Sequence, residues 1–168
     1  MVRRTAVLGL GLLAAACAST PERRPELPSP ASVGRVGKPY QVNGRWYAPA
    51  HQPDYDAVGQ ASWYGAEHQG RPTALGEPFN RRSLSAAHTT LPLPSRVEVT
   101  NLENGRRPQV RVNDRGPFVP GRIIDLSEAA AEALGFRAQG LARVRVRYLG
   151  PGDRELARAP DRERRRAR

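Results

Sequence analysis

The chain has 168 residues, one cysteine and 27 Lys and Arg against 16 Asp and Glu, a formal net charge of +11. A lone cysteine excludes an internal disulfide, and no Cys/His spacing of a metal site, phosphate-cradling glycine loop or nucleophile elbow is present. The length suits one ordinary domain with tails, and the basic balance favours a polyanionic partner.

The N-terminus narrows that partner. Arg3 and Arg4 precede an apolar run at 6–13, and Ala14, Ala15 and Ala16 stand directly before Cys17. This is the layout of a secretory signal over 1–16. The run is far short of the roughly 20 residues that a spanning helix needs. Residues 13–17 resemble a lipobox, which would make Cys17 the lipidated first residue of the mature chain; plain signal cleavage, with Cys17 lost or free, is the alternative. An exported chain meets anionic lipids and cell-wall polymers, so nucleic acid is excluded as a partner despite the charge. Ala18 stands where an aspartate would favour inner-membrane retention, which points to the outer membrane.

Residues 17–39 are rich in proline and charge and read as a disordered linker. Over 40–57 a small extension is expected: Tyr40 to Val42 and Arg45 to Tyr47 flank Asn43-Gly44, a pair that accepts positive φ and closes a hairpin. The main domain, 58–149, reads as short strands at 59–64, 96–102, 109–112, 122–126 and 142–148. Val97 and Val99, Val110 and Val112, and Val144 and Val146 alternate with polar residues, so valine faces a core. Asn104-Gly105 joins two strands as a second hairpin. One helix is predicted, capped by Ser127, running from Glu128 to Leu134 and stopped at Gly135. Residues 150–168 form an arginine-rich tail. Short strands, many glycines and prolines and a single helix indicate a small, mainly β barrel, because closure removes exposed edges.

Two stretches carry candidate chemistry: 61–92, with Ala61-Ser62-Trp63-Tyr64-Gly65, Glu77 and His88, and 112–127, with Asn113-Asp114-Arg115-Gly116-Pro117-Phe118 and Asp125. Glu77 and Asp114 lie among glycine, proline and aromatic residues, where a shaped loop can hold a carboxylate at a cleft, and such a pair suits acid and base work on a glycosidic bond. The alternative is that Glu77 is a turn-exposed charge and that Asp114 pairs with Arg115 or Arg111. His88 is a proton carrier, an orienting partner or a satisfied structural histidine. Trp63 and Tyr64 either stack on sugar faces or belong to the core.

Together these stretches resemble the rare lipoprotein A family, septal lytic transglycosylase-like proteins built on a double-psi β-barrel. The likeness is carried by Ala-Ser-Trp-Tyr-Gly at 61–65, Thr-Ala-Leu-Gly-Glu-Pro-Phe at 73–79, Ala-Ala-His-Thr-Thr-Leu-Pro at 86–92, Val-Thr-Asn-Leu-Glu-Asn-Gly at 99–105, and Asn-Asp-Arg-Gly-Pro-Phe at 113–118 followed by Arg-Ile-Ile-Asp-Leu-Ser at 122–127. It implies a six-stranded barrel and cleavage of peptide-stripped peptidoglycan glycan strands without water, leaving a 1,6-anhydro-muramic end. It implies no cofactor and no metal. Asp114 would be the leading acid/base, Glu77 the second carboxylate and His88 their partner, with Trp63, Tyr64, Asn113, Arg115 and Asp125 placing substrate. Partners would be glycan strands, the membrane through Cys17, and division-site proteins. His68-Gln69 and Leu75 depart from the family pattern on the loop leading to Glu77. An expansin-like barrel that grips glycan without cutting it is the other function this pattern allows.

Overall fold

A computed structural model of the chain describes residues 35–153. The expected signal peptide, Cys17, the linker up to residue 34 and the tail from residue 154 lie outside the described residues. Among the described residues eight strands, one α-helix and a short 3-10 turn at Ala66–His68 between β3 and β4 are present, the named elements in order being β1 Tyr40–Val42, β2 Arg45–Tyr47, β3 Asp56–Tyr64, β4 Ser85–Ala87, β5 Ser95–Asn101, β6 Gln109–Asp114, β7 Arg122–Ser127, α1 Glu128–Leu134 and β8 Leu141–Pro151.

Strands β3 to β8 close into a six-stranded barrel in the order β3-β7-β4-β6-β5-β8. The β3–β7 and β4–β6 neighbours are parallel and the others antiparallel. The valine alternation settles which way each strand faces. Val97, Val99, Val112, Val144 and Val146 are fully buried and Val110 nearly so, each contributing on the order of 2 kcal/mol of apolar burial. Ile124 and Leu126 of β7 and Ala61 of β3 complete the interior, and α1 adds Ala130, Ala131 and Leu134.

Local signals account for the ends of the elements. Asn43 and Gly44 adopt φ of 50° and 77°, which closes β1 onto β2. The Ser127 hydroxyl accepts from the Ala130 amide, and Gly135 ends the helix in a left-handed conformation at φ 76°.

The small strand β4, absent from the predicted strands, sits between β6 and β7. All three of its residues are buried, so it shows no alternation. The barrel also reaches past its expected bounds. Arg35 exchanges two backbone hydrogen bonds with Leu93 inside the expected linker, and β8 continues through Pro151, which pairs with Ser95.

Candidate active site

The site starts from a fault in β6. Val110, Val112 and Asp114 are in phase, so strict alternation would point Asp114 into the barrel. The β4–β6 register slips between Ala86 and Ala87: Ala86 opposes Val112, whereas Ala87 opposes Asp114. The bulge leaves Asn113 as the extra residue, and such bulges re-aim side chains. Asn113 and Asp114 both reach the loop over 70–80, on the outer face of the barrel.

That loop is a narrow hairpin. Pro72 bridges Pro78, the Phe79 amide donates to the Arg71 carbonyl (2.7 Å), and the Thr73 amide donates to the Glu77 carbonyl (2.8 Å). Its tip docks on the end of β6: the Leu75 amide donates to the Asn113 carbonyl (3.2 Å) and the Ala74 amide to Asp114 Oδ1 (2.8 Å). The Arg115 amide also donates to Asp114 Oδ1 (2.8 Å). Among the described residues no side chain pairs with the Asp114 carboxylate, and no donor reaches its Oδ2.

Glu77 is tied to the same strand. Its two oxygens accept from Arg111 Nη1 and Nη2 at 2.5 and 2.6 Å, and Asn113 Nδ2 adds a bond at 3.2 Å. Burial alone would raise this carboxyl, but the bonds from Arg111 and Asn113 and the Arg111 charge together hold it below the ordinary carboxylate range. Glu77 is therefore no turn-exposed charge, and Arg111 serves Glu77 rather than Asp114. A bidentate fork of this kind fixes geometry as well as charge.

His88 lies beneath the site, 1% exposed. Its Nδ1 accepts the amides of Thr90 and Leu91 at 3.2 and 3.1 Å, so in the neutral ring the proton resides on Nε2, which faces the Tyr55 hydroxyl at 2.9 Å. Burial, reinforced by the Arg115 charge, lowers its pKa from 6.5 to about 4. The ring touches neither carboxylate; the residue meets Asp114 only through its amide, 3.1 Å from the Asp114 carbonyl.

Arg115 turns away from Asp114, with Nη1 donating to the His88 and Leu91 carbonyls at 3.2 and 2.6 Å. Its guanidinium lies over Tyr40 of the N-terminal hairpin, 6.0 Å from the ring centroid. Tyr40 and Tyr47 stack at 5.4 Å and both meet Phe118 edge-on. The hairpin thus flanks the loop that follows Asp114.

The two strand aromatics separate. Trp63 packs towards α1, its indole donating to the Arg137 carbonyl (3.1 Å) under the Arg137 guanidinium at 5.7 Å, beside a shallow cavity of about 350 Å³ that Glu128 and Arg81 also line. Tyr64 lies on the opposite side of β3, its ring 4.6 Å from that of Phe79. Its buried hydroxyl has no partner among the described residues. Burial raises the phenol's pKa, and the charges of Asp114 and then Asp125 add to the effect.

Asp125, on β7, accepts from the Ser62 hydroxyl (2.5 Å) and lies 3.5 Å from Arg122. Burial raises its carboxyl above the ordinary aspartate range, against the pull of Ser62 and Arg122. Sequence reasoning passed over Arg122, Tyr55 and Ser62 as site residues and offered Arg111 only as a partner for Asp114. Only Arg111 had a readable signal, its in-phase spacing with Asn113 on the polar side of β6.

The lytic transglycolase family model matches residues 56–146, more than half of the chain. Over 126 residues the chain is 49% identical to the endolytic peptidoglycan transglycosylase RlpA of Pseudomonas aeruginosa strain PAO1, covering 74% of this chain and 37% of that protein. It is 44% identical over 149 residues to the protein of the same name from Neisseria meningitidis strain Z2491, covering 88% of this chain and 60% of that one. The chain therefore spans about two to three fifths of the length of these curated relatives. Among solved structures, a Streptomyces papain inhibitor shares the fold at a TM-score of 0.50 and 24% identity, over 60% of this chain and 99% of that one.

Proposed function

The chain belongs to the rare lipoprotein A family of lytic transglycosylase-like double-psi β-barrels, and from that membership we propose that its barrel cuts peptidoglycan glycan strands stripped of stem peptides, leaving 1,6-anhydro-muramic ends. The observation that carries the reading is Asp114: a bulge turns its carboxylate outward, two amides hold one oxygen, and the other stays open. A carboxylate so placed can take the proton of a sugar C6 hydroxyl as O6 closes on C1, while a carboxylic acid protonates the departing glycosidic oxygen.

The remaining residues support that geometry. Glu77 acts through Arg111 and Asn113 by pinning the 70–80 loop to β6. His88 holds the strand end beneath Asp114, and Arg115 braces it from the other side. The Tyr64 hydroxyl and Asn113 Oδ1 are buried without partners among the described residues, so they lie under the loop rather than on its sugar-facing side. Cys17, lipidated, would keep the barrel in the envelope, on the periplasmic face of the outer membrane, within reach of the wall and of division-site proteins.

The test incubates the purified chain, from residue 18 onward, with peptide-stripped sacculi and reads products by mass spectrometry. Anhydro-ended oligosaccharides, lost in Asp114→Asn, are expected. Sacculus binding without product would leave a glycan-gripping barrel and refute the enzyme. Lipid labelling of the full chain and of Cys17→Ser tests the anchor: undiminished incorporation in the variant would remove it.

A further inference from the structure

The outer face of β8 takes no part in the site. Its buried valines alternate with exposed residues, so Leu141, Arg143, Arg145 and Arg147 point away from the core. The strands on either side continue this face. The outward residues of β5 are Arg96, Glu98 and Thr100, and those of the first part of β3 are Asp56, Val58 and Gln60. In the barrel order β8 is three strands from β4 in either direction, so this face looks away from the seam where Ala87 of β4 meets Asp114.

The face is graded along the strands. At one end Arg147 lies in register between Glu98 and Asp56, Arg147 Nη2 donates to Glu98 (2.9 Å) and Arg145 Nε donates to Asp56 (2.7 Å). These charges cancel in pairs. The ion pairs of the face stop at Arg145, and Arg143 has none among the described residues. Gln60 opposes Arg143 on β3, and on the β5 side the Leu102 amide donates to its carbonyl (3.0 Å). Around it Leu102, Leu141 and Val58 are 46%, 48% and 50% exposed. The turn beyond Leu102 adds exposed Arg106 and Arg107 against Glu103.

One exposed aliphatic side chain needs no explanation. Three around an unpaired cation make an amphipathic surface, on which guanidinium heads can fork onto phosphate while the aliphatic side chains enter the boundary between headgroups and acyl chains. A glycan strand asks instead for aromatic faces, and none of these outward residues is aromatic.

We propose that the face of β5, β8 and β3 around Arg143 docks on a bilayer surface bearing anionic phospholipid, with Leu102, Leu141 and Val58 seated among the headgroups. The proposal goes beyond the transglycosylase reading and does not depend on it. Docked this way, the barrel carries β4, with Asp114 beside it, on the side turned away from the lipid.

The test uses the purified chain from residue 18 onward, which holds every described residue and no cysteine. Co-sedimentation is measured with vesicles of pure phosphatidylcholine and of an equimolar mixture with phosphatidylglycerol. Binding to the mixed vesicles that weakens as salt is raised is expected. Arg143→Ala should lower the partition coefficient about fivefold, and Arg82→Ala, which removes the same charge from the turn leading into β4, should change it far less. No binding to the mixed vesicles, or equal losses in the two variants, overturns the proposal. A single cysteine placed by Leu141→Cys, or by Leu84→Cys at a residue 44% exposed just before β4, then carries a polarity-sensitive nitrobenzoxadiazole dye. With mixed vesicles the dye at 141 should shift to the blue and the dye at 84 should not. No shift at 141, or a shift at both positions, overturns the proposal. So does an Arg143→Ala variant that binds vesicles as wild type does but peptide-stripped sacculi more weakly, because the face then grips glycan carboxylates. None of these readouts involves turnover, so failure here and failure of the transglycosylase reading are separate results.

Discussion

His88 gives the sharpest separation between a structural residue and a proton carrier. The ring is held neutral by burial, with its pKa taken from 6.5 to about 4. In the unfolded chain it binds a proton as the pH drops below about 6.5, whereas the folded protein resists until about 4. The unfolded state therefore holds more protons in that window, and stability rises with pH. Its contribution is complete above pH 6.5 and is lost as the pH falls towards 4. The shift corresponds to about 3 kcal/mol. Urea unfolding at pH 7.5 and 4.5 should show wild type losing about that much more than His88→Gln, which keeps a polar side chain but cannot titrate. Carboxylates common to both proteins cancel in the difference. By NMR the His88 ring should stay neutral, with its proton on Nε2, down to about pH 4. A ring that titrates near 6.5, or equal pH dependence in the two proteins, would refute this account and return His88 to the list of proton carriers.

Glu77→Gln strands the Arg111 guanidinium, whose side chain is only 11% exposed, and should cost about 1–3 kcal/mol by denaturant unfolding; proteolysis within 70–80 should quicken, and unchanged stability would remove the docking role. Ser127→Ala takes away the helix cap and also the acceptor of the Ser85 amide, so a loss of about 1–2 kcal/mol is expected in the same measurement. Gly116→Ala forces a side chain into φ 133° and should cost about 1–3 kcal/mol. The added Cβ would make only ordinary contacts, 3.8 Å from the Ala87 methyl and 4.0 Å from Asp125 Oδ2, so the cost is the backbone's, and unchanged stability by denaturant unfolding would refute it.

Much of the barrel was legible because its residues obey local rules. The paired valines of β5, β6 and β8 alternate cleanly, and Ser127 and Gly135 bracket a helix that has the predicted ends. β4 was not legible for the converse reason: a strand of three buried residues, flanked on both edges, carries no period. The site divides along the same line. Asp114 and Asp125 stand out as carboxylates in unusual loops and strands, but what each meets depends on a register that only the closed barrel defines. Likewise nothing local distinguishes Glu77 with Arg111, 34 residues away, from an exposed charge. His88 has the composition of a proton carrier, and only its surroundings, the Thr90 and Leu91 amides and Tyr55, make it a buried brace.

The slip in β6 makes the site sensitive to length rather than to chemistry. Inserting one residue between Ala86 and Ala87 would give Asn113 a partner and restore the strict ladder, turning Asp114 into line with Val110 and Val112, towards the interior. A barrel of this design could thus lose its outward acid through a single-codon insertion with every existing side chain unchanged. Alignments that score residue identity but tolerate a one-residue gap would count such a chain as complete, so the length of β4 against β6 is the feature by which to sort cutting barrels from silent ones.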